Sequence, residues 1–440
     1  MNMLARRSWV GSESDDLVQS IATAISGKSS DAVDEEINRL IEENRRIHEV
    51  ECVNLNPATN VMNPRAERVL ASGLGSRPSL GYPGAKYEMG LEAIERIEAI
   101  TAQLAAEVFG ASHVEFRLAS GALANLYAFM ATCQPGDSII APPDTIGGHV
   151  THHRPGAAGF YGLDIHPAPI DPDGYTVDVG ALAELARRIR PKLITIGGSL
   201  NLWRHPLREI RAIADEVGAY VLFDAAHLCG VIAGHEWQQP LREGAHLMSC
   251  STYKSLGGPP SGLLMTDDAE LAEKIERIAY PGLTANFDVA KTASLAIALL
   301  DWKEHGRAYA QEMRATASRL AQELSDRGVP VFGEARGFTQ SHQVAVCAAS
   351  YGGGHQAAKH LRGANILASG IGLPIDPVEG DFNGLRFGTP EIVRWGMTAV
   401  DMPELADLVA GALAAEDPAS LGDRVTAFRS RFRTLHFVRS

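Results

Sequence analysis

Between about residues 92 and 300, helical stretches and short apolar runs take turns, and this alternation constrains the chain more than any other feature. "EAIERIEAITAQLAAEVFG" (92–110) reads as a helix closed by Gly110, and "VEFRL" (114–118) alternates as a strand. "SGALANLYAFMATC" (120–133) is a helix and "DSIIAP" (137–142) a strand. The helices "VGALAELARRI" and "LREIRAIADEVG" then interleave with the strands "KLITIGG", "AYVLFDAAH", "HLMSCSTYK" and "SGLLMT". Helix and strand at this spacing predict an α/β fold: a mostly parallel sheet covered on both faces, which binds ligands at the carboxyl ends of its strands.

The flanks read differently. The first thirty residues are rich in Ser and Asp and are expected to be a loosely held arm, followed by an amphipathic helix in "DAVDEEINRLIEENRRIHEV" (31–50). After about residue 305 an Arg- and Glu-rich helix ("GRAYAQEMRATASRLAQELSDRG", 306–328) leads into short strands and two more helices. The expected organisation is an N-terminal arm and helix (1–60), a large domain (61–305) and a smaller α+β domain (306–440). The closing segment "DRVTAFRSRFRTLHFVRS" (423–440) is locally basic and fits none of these readings.

Composition removes several classes of function. A net charge of -13 argues against nucleic acid and against an anionic membrane surface, both of which require clustered Lys and Arg. No apolar run approaches a membrane span, and the two early arginines have no apolar stretch of a signal peptide behind them. Five scattered cysteines, odd in number and without a CxxC pair, read as reduced thiols of a cytoplasmic protein.

The chemistry falls at strand ends. "VLFDAAHLCG" runs an apolar strand into Asp224, with His227 three residues on, and a second strand finishes near Lys254 in "STYKSLGGPPSG". A carboxylate and a lysine at neighbouring strand ends suit pyridoxal 5'-phosphate: its aldehyde forms a Schiff base with lysine, and its pyridinium nitrogen needs a carboxylate partner. Small hydroxyl residues (Ser249, Ser251, Thr252) and the amides that open the "SGALAN" helix, Ser120 to Asn125, are candidates for the phosphate. Taken singly, each piece has a bland alternative: a helix cap, a tight turn or a surface charge. The histidines of "GGHVTHH" (His149, His152, His153) lack a neighbouring Cys or carboxylate at ligand spacing, so no metal is expected.

Six segments in order resemble the serine hydroxymethyltransferase family of fold-type I pyridoxal phosphate enzymes, to which threonine aldolases are related. They are "LGYPGAKYEMG", "SGALAN", "GGHVTH", "FDAAHLCGVIAG", "STYKSLGGPPSG" and "LRFGTPEIVRWGM". The resemblance implies a seven-stranded sheet and a homodimer, or a tetramer, with sites shared across the interface. It implies that Lys254 carries the cofactor, Asp224 pairs with the pyridine nitrogen and His227 sits by the phenolic oxygen. Ser120, Gly121 and Ala122 would hold the phosphate with Ser251 and Tyr253, Arg386 would grip the substrate carboxylate, and Tyr87 would orient substrate or move a proton. Tyr87, Glu88 and His149 are the candidates for the base.

The departures from the family cluster around substrate and folate. Leu80 replaces the glutamate associated with folate-dependent transfer, Pro78 a phosphate-binding tyrosine, Glu88 the second tyrosine of a pair, and Tyr253 the histidine before the lysine. Pro260 replaces an arginine, and an ungapped reading puts Ile146 where the family's ring-stacking histidine falls. Cofactor chemistry retained with altered substrate handling implies folate-independent aldol or retro-aldol chemistry on a β-hydroxy-α-amino acid. The alternatives are transamination, decarboxylation or β-elimination at the same residues, or a non-catalytic pyridoxal phosphate-binding protein.

Overall fold

In the computed structural model, which describes residues 4–440, the chain forms two units, one ending at Cys52 and one beginning at Val53. In the first unit the expected loose arm is instead a helix, α1 (Ser12–Ile25), with Glu13 and Asp15 in its first turn matching the helix dipole. Arg6 and Arg7 both reach Asp15, which fixes the chain before the helix. α2 (Ser30–Arg45), capped by Ser29, matches the expected amphipathic helix, but its apolar Ile37, Leu40 and Ile41 are exposed.

The second unit is built on the expected sheet. Its strands are β1 (His113–Leu118), β2 (Ser138–Ala141), β3 (Asp164–Pro167), β4 (Leu193–Gly197), β5 (Tyr220–Asp224), β6 (Leu247–Ser251) and β7 (Gly262–Thr266). They lie in the order β1-β7-β6-β5-β4-β2-β3. The run from β6 to β3 is parallel, while β7 is antiparallel to both β6 and β1. Every residue of β4, β6 and β7 is buried, as strands covered on both faces require. β3 had no sequence expectation: "DIHP" is a half-exposed edge strand with a proline and no apolar run.

The helices α3 (Glu92–Phe109) and α4 (Gly121–Thr132) stand where the sequence puts them. The Arg- and Glu-rich helix does not start at residue 306. It is the second half of α5 (Val289–Asp326), one 38-residue helix that carries the chain past the expected 305 boundary. Gly306 punctuates the sequence but sits mid-helix, where a Cβ would press on the Trp302 ring at 3.0 Å. Beyond α5, the strands β8 (Gln343–Cys347), β9 (Ser369–Ile371) and β10 (Gly384–Gly388) form an antiparallel sheet in the order β8-β10-β9. All five cysteines are free, and all but Cys347 are buried. Among the described residues no helix is long and apolar enough to cross a membrane.

Candidate active site

The carboxyl ends of β4, β5 and β6 meet the first turn of α4. Asp224 closes β5, paired in register with Gly197 of β4 and Ser249 of β6. Gly197 has φ +88°, and a Cβ there would meet the Asp224 carbonyl oxygen at 2.3 Å, so only glycine allows this approach. Gly121 is similarly constrained: a Cβ would lie 2.3 Å from Ser251 Oγ. α4 can therefore bring its N-terminus against β6. Ser120 caps it, accepting the Leu123 amide at 3.2 Å.

Asp224 is buried and fully hydrogen-bonded. Its Oδ2 accepts from Asn125 Nδ2 at 3.0 Å and meets His152 Nε2 at 2.8 Å, and its Oδ1 accepts the Ala226 amide at 3.0 Å. Burial works against its charge. The hydrogen bonds from His152 and from the Ala226 amide outweigh burial and hold the carboxyl below the usual carboxylate range.

Lys254 lies in the turn after β6, and its Nζ is 3.1 Å from His227 Nε2. Arg386 Nη1 approaches the same Nε2 at 3.5 Å. Burial, followed by the charges of Lys254 and Arg386, pushes the His227 imidazole well below its ordinary pKa, so the ring is neutral. With a lysine and an arginine facing Nε2, that nitrogen accepts and the ring proton sits on Nδ1, which has no partner. Burial also lowers Lys254 to about 8, with Asp224 opposing and Arg386 reinforcing the shift. The neutral amine is the nucleophile. In protein freed of cofactor, labelling of Lys254 by an amine-directed reagent, followed by peptide mapping, should rise about tenfold per pH unit below about pH 8 and level off above it. An exposed lysine would keep rising beyond pH 10.

Arg386, in the middle of β10, is 6 % exposed. Its Nε and Nη2 donate to Ser369 Oγ at 3.2 and 3.0 Å, and its Nη1 donates to the Ser199 carbonyl. Burial lowers its pKa to about 10, and among the described residues it has no carboxylate partner. A buried guanidinium without a counter-ion is a receptor for an incoming carboxylate.

One cavity is lined by Ser120, Gly121 and Ala122, by Asp224, His227 and Lys254, and by Ser251, Tyr253 and His149. The expected cofactor residues therefore converge on one cavity. Of the three candidate bases, only His149 lines it. Its Nδ1 accepts the Thr151 amide at 3.3 Å, and burial lowers its pKa to about 4, so the neutral ring carries its proton on Nε2. Tyr87 is 76 % exposed, and neither it nor Glu88 lines the Lys254 cavity of its own chain. Ile146 does not take a ring-stacking place: it is 3 % exposed and packed in the core, and the imidazole that its loop brings to the cavity is His149. Leu80 is also absent from the lining.

The sequence reading gave no site role to the Asn125 side chain, to His152 as the partner of Asp224, or to Ser199. Asn125 closes "SGALAN", a motif read for its amides; its side chain also accepts from Ser249 Oγ at 2.7 Å. Among the described residues no group of three or more His, Cys, Asp or Glu is placed to hold a metal ion. The donor set fits pyridoxal phosphate. One cavity is lined by a capped helix N-terminus, whose amides and dipole suit a phosphate, by a buried carboxylate held in its ionised form, and by a lysine amine. A second cavity of about 610 Å³ adjoins at His149 and Ser199, with Arg386 in its lining and Val150, Ile371 and Phe382 among its apolar walls.

Comparison with known proteins agrees with this geometry. The serine hydroxymethyltransferase family model matches residues 30–409. An α-methylserine aldolase of Variovorax paradoxus is 62% identical over 435 residues, covering 99% of each chain. One of Ralstonia sp is 56% identical over 438 residues, 99% of this chain and 100% of the relative. A serine hydroxymethyltransferase of Methanopyrus kandleri is 35% identical over 408 residues, covering 92% and 95% of the two chains.

Proposed function

Since the chain belongs to the serine hydroxymethyltransferase family, we propose that it cleaves α-methylserine to alanine and formaldehyde without folate, and forms it in reverse. At the level of reaction class it is a pyridoxal phosphate-dependent enzyme of aldol and retro-aldol chemistry on a hydroxy amino acid. The observation that carries the substrate is the 62% identity, over nearly all of both chains, to a protein named for that reaction. Leu80, where the family has a carboxylate, supports the absence of folate. α-Methylserine also has no hydrogen on Cα, so proton removal there is closed and only Cα–Cβ cleavage or loss of the carboxylate is left; Arg386, by pairing with the carboxylate as an anion, favours the first.

When bound, pyridoxal phosphate supplies an electron sink for the pair left on Cα. Lys254 would hold the cofactor through its amine and yield it to the substrate amine. Ser120, Gly121 and Ala122 anchor the phosphate, and Asp224 keeps the ring nitrogen protonated through its ionised carboxylate. Arg386 fixes the substrate carboxylate, which sets the rotation about Cα that aims the scissile bond at the sink. His149, neutral with its proton on Nε2, is placed to hydrogen-bond the substrate; the β-hydroxyl proton released on cleavage passes to a base, for which Tyr87 and Glu88 are the candidates left, and Cα takes up a proton as alanine forms. The adjoining cavity gives the departing aldehyde a route out.

The active species in this reading is a cytoplasmic homodimer. The hairpin around Gly81–Lys86 presents Tyr87 and Met89 at 76% and 83% exposure. That exposure suits an element contributed to a neighbouring subunit's site, where Leu80, Tyr87 and Glu88 would act. The test is kcat/KM, without folate, for α-methylserine, L-serine, L-threonine, L-allo-threonine and phenylserine. α-Methylserine should lead L-serine by at least about tenfold, the discrimination one buried methyl supplies. Equal or better turnover of L-serine overturns the substrate assignment.

A further inference from the structure

The basic C-terminal segment lies beyond residue 409, where the family match ends, yet it folds back onto the far side of the lysine turn. His436 donates its amide to the Arg394 carbonyl at 2.7 Å, and Arg439 donates its amide to Asp301 Oδ1 at 2.8 Å and pairs with Glu304 at 2.7 Å. Between these anchors Phe437 has φ +57°, a left-handed conformation that a bulky residue rarely adopts. In that conformation its ring stacks on Tyr309, with centroids 5.1 Å apart and planes 14° apart.

Tyr309, 1 % exposed on α5, is the hub of the contacts behind Lys254. The three carbonyls that follow the lysine are each held by a side chain that also touches Tyr309. Asn60 Nδ2 reaches the Ser255 carbonyl at 3.5 Å and the Tyr309 hydroxyl at 3.0 Å. Trp302 donates to the Leu256 carbonyl at 2.7 Å, and its ring lies 5.2 Å from that of Tyr309. Arg394, fully buried, donates to the Gly257 carbonyl at 3.2 Å and lies over the Tyr309 ring at 5.0 Å.

We propose that residues 436–439 form a strap that positions the Lys254 turn, acting through the stack of Phe437 on Tyr309 and the three side chains Tyr309 braces. Phe437 is a positioning residue: it touches neither cofactor nor substrate. The inference rests on the reading of Lys254 as the cofactor lysine. Because Lys254 must bond and release in each turnover, an error of about 1 Å in its turn is enough to cost up to about a hundredfold in rate.

The test uses full-length holoenzyme: wild type, Phe437→Ala, Phe437→Tyr, Lys254→Ala, and Arg433→Ala as a control in the exposed part of the same tail. Three quantities are read: the pH midpoint of the bound cofactor's absorbance, the cofactor dissociation constant, and kcat and KM with α-methylserine. Phe437→Ala should move the midpoint by at least about 0.5 pH unit, weaken cofactor binding several-fold and lower kcat about ten- to a hundredfold with KM within about twofold. Phe437→Tyr, which keeps the stack, should restore all three, and Arg433→Ala should leave them at wild-type values. A Phe437→Ala enzyme with unchanged midpoint and kcat overturns the strap, even if its melting temperature falls, and so does an equal effect from Arg433→Ala. If Lys254→Ala keeps a pH-dependent cofactor band, the lysine reading itself has failed, and the strap's role falls with it.

Discussion

Lys254→Ala is expected to lower the α-methylserine cleavage rate by at least about a thousandfold and to abolish the covalent cofactor band. The structure makes this the largest single effect because no other amine takes its place: Lys254 Nζ lies against the neutral His227 imidazole, whose Nε2 is shared with the Arg386 guanidinium. A positioned reacting group supplies about 7–11 kcal/mol relative to the same group free in solution, so a thousandfold loss is a conservative bound. The fold should survive, since the turn keeps its backbone bonds from Gly257 to the Lys254 carbonyl and from Gly258 to that of Thr252. Single-turnover product release and the absorbance spectrum are the readouts. A variant with more than a tenth of wild-type activity would contradict the assignment of Lys254.

Asp224→Asn should give the second largest effect and one of a different kind: the cofactor still attached, but turnover reduced. The substitution keeps shape and removes charge. Every hydrogen-bond partner placed around the carboxylate is arranged for an acceptor: Asn125 Nδ2 and the Ala226 amide donate to it, and His152 Nε2 lies against it. An amide nitrogen would meet donors at one of those positions, and the ring nitrogen of the cofactor would lose its counter-charge. Removing one partner from a buried charged cluster costs about 3–5 kcal/mol. Taken wholly from the transition state, this is a fall in kcat/KM of about two to four orders of magnitude. The spectrum should retain a covalent band while kcat drops; loss of the band together with activity would mean that Asp224 serves binding instead of electron withdrawal.

What the sequence disclosed depended on whether a signal was local. Strands β2 and β4–β7 were legible because buried strands are short apolar runs, β1 because its residues alternate, and β3 was not because an exposed edge strand shows neither signal. Asp224, Lys254 and Arg386 stood out because each interrupts or ends an apolar strand with a charge. Asn125 and His152 remained hidden because their role exists only where α4 and the loop around His152 cross the end of β5, 99 and 72 residues away in sequence. His149 and Ile146 are three residues apart, and only the folded loop distinguishes the imidazole at the cavity from the aliphatic side chain in the core. The start of α5 was misplaced because a glycine in sequence reads as a helix end, whereas Gly306 is there for close packing against Trp302. The same limit hid the purpose of the basic tail, whose contacts with Tyr309, Asp301 and Arg394 all span long stretches of chain.

The central claim is folate-independent cleavage of α-methylserine at the Lys254 site. Its most direct test is the simultaneous measurement of alanine and formaldehyde released from α-methylserine by the purified holoenzyme, in folate-free buffer and with added tetrahydrofolate. The account predicts the two products in a one-to-one ratio, an initial rate unchanged by tetrahydrofolate, and no release by Lys254→Ala. Release that requires tetrahydrofolate, or ammonia, carbon dioxide or a keto acid in place of alanine and formaldehyde, would contradict it.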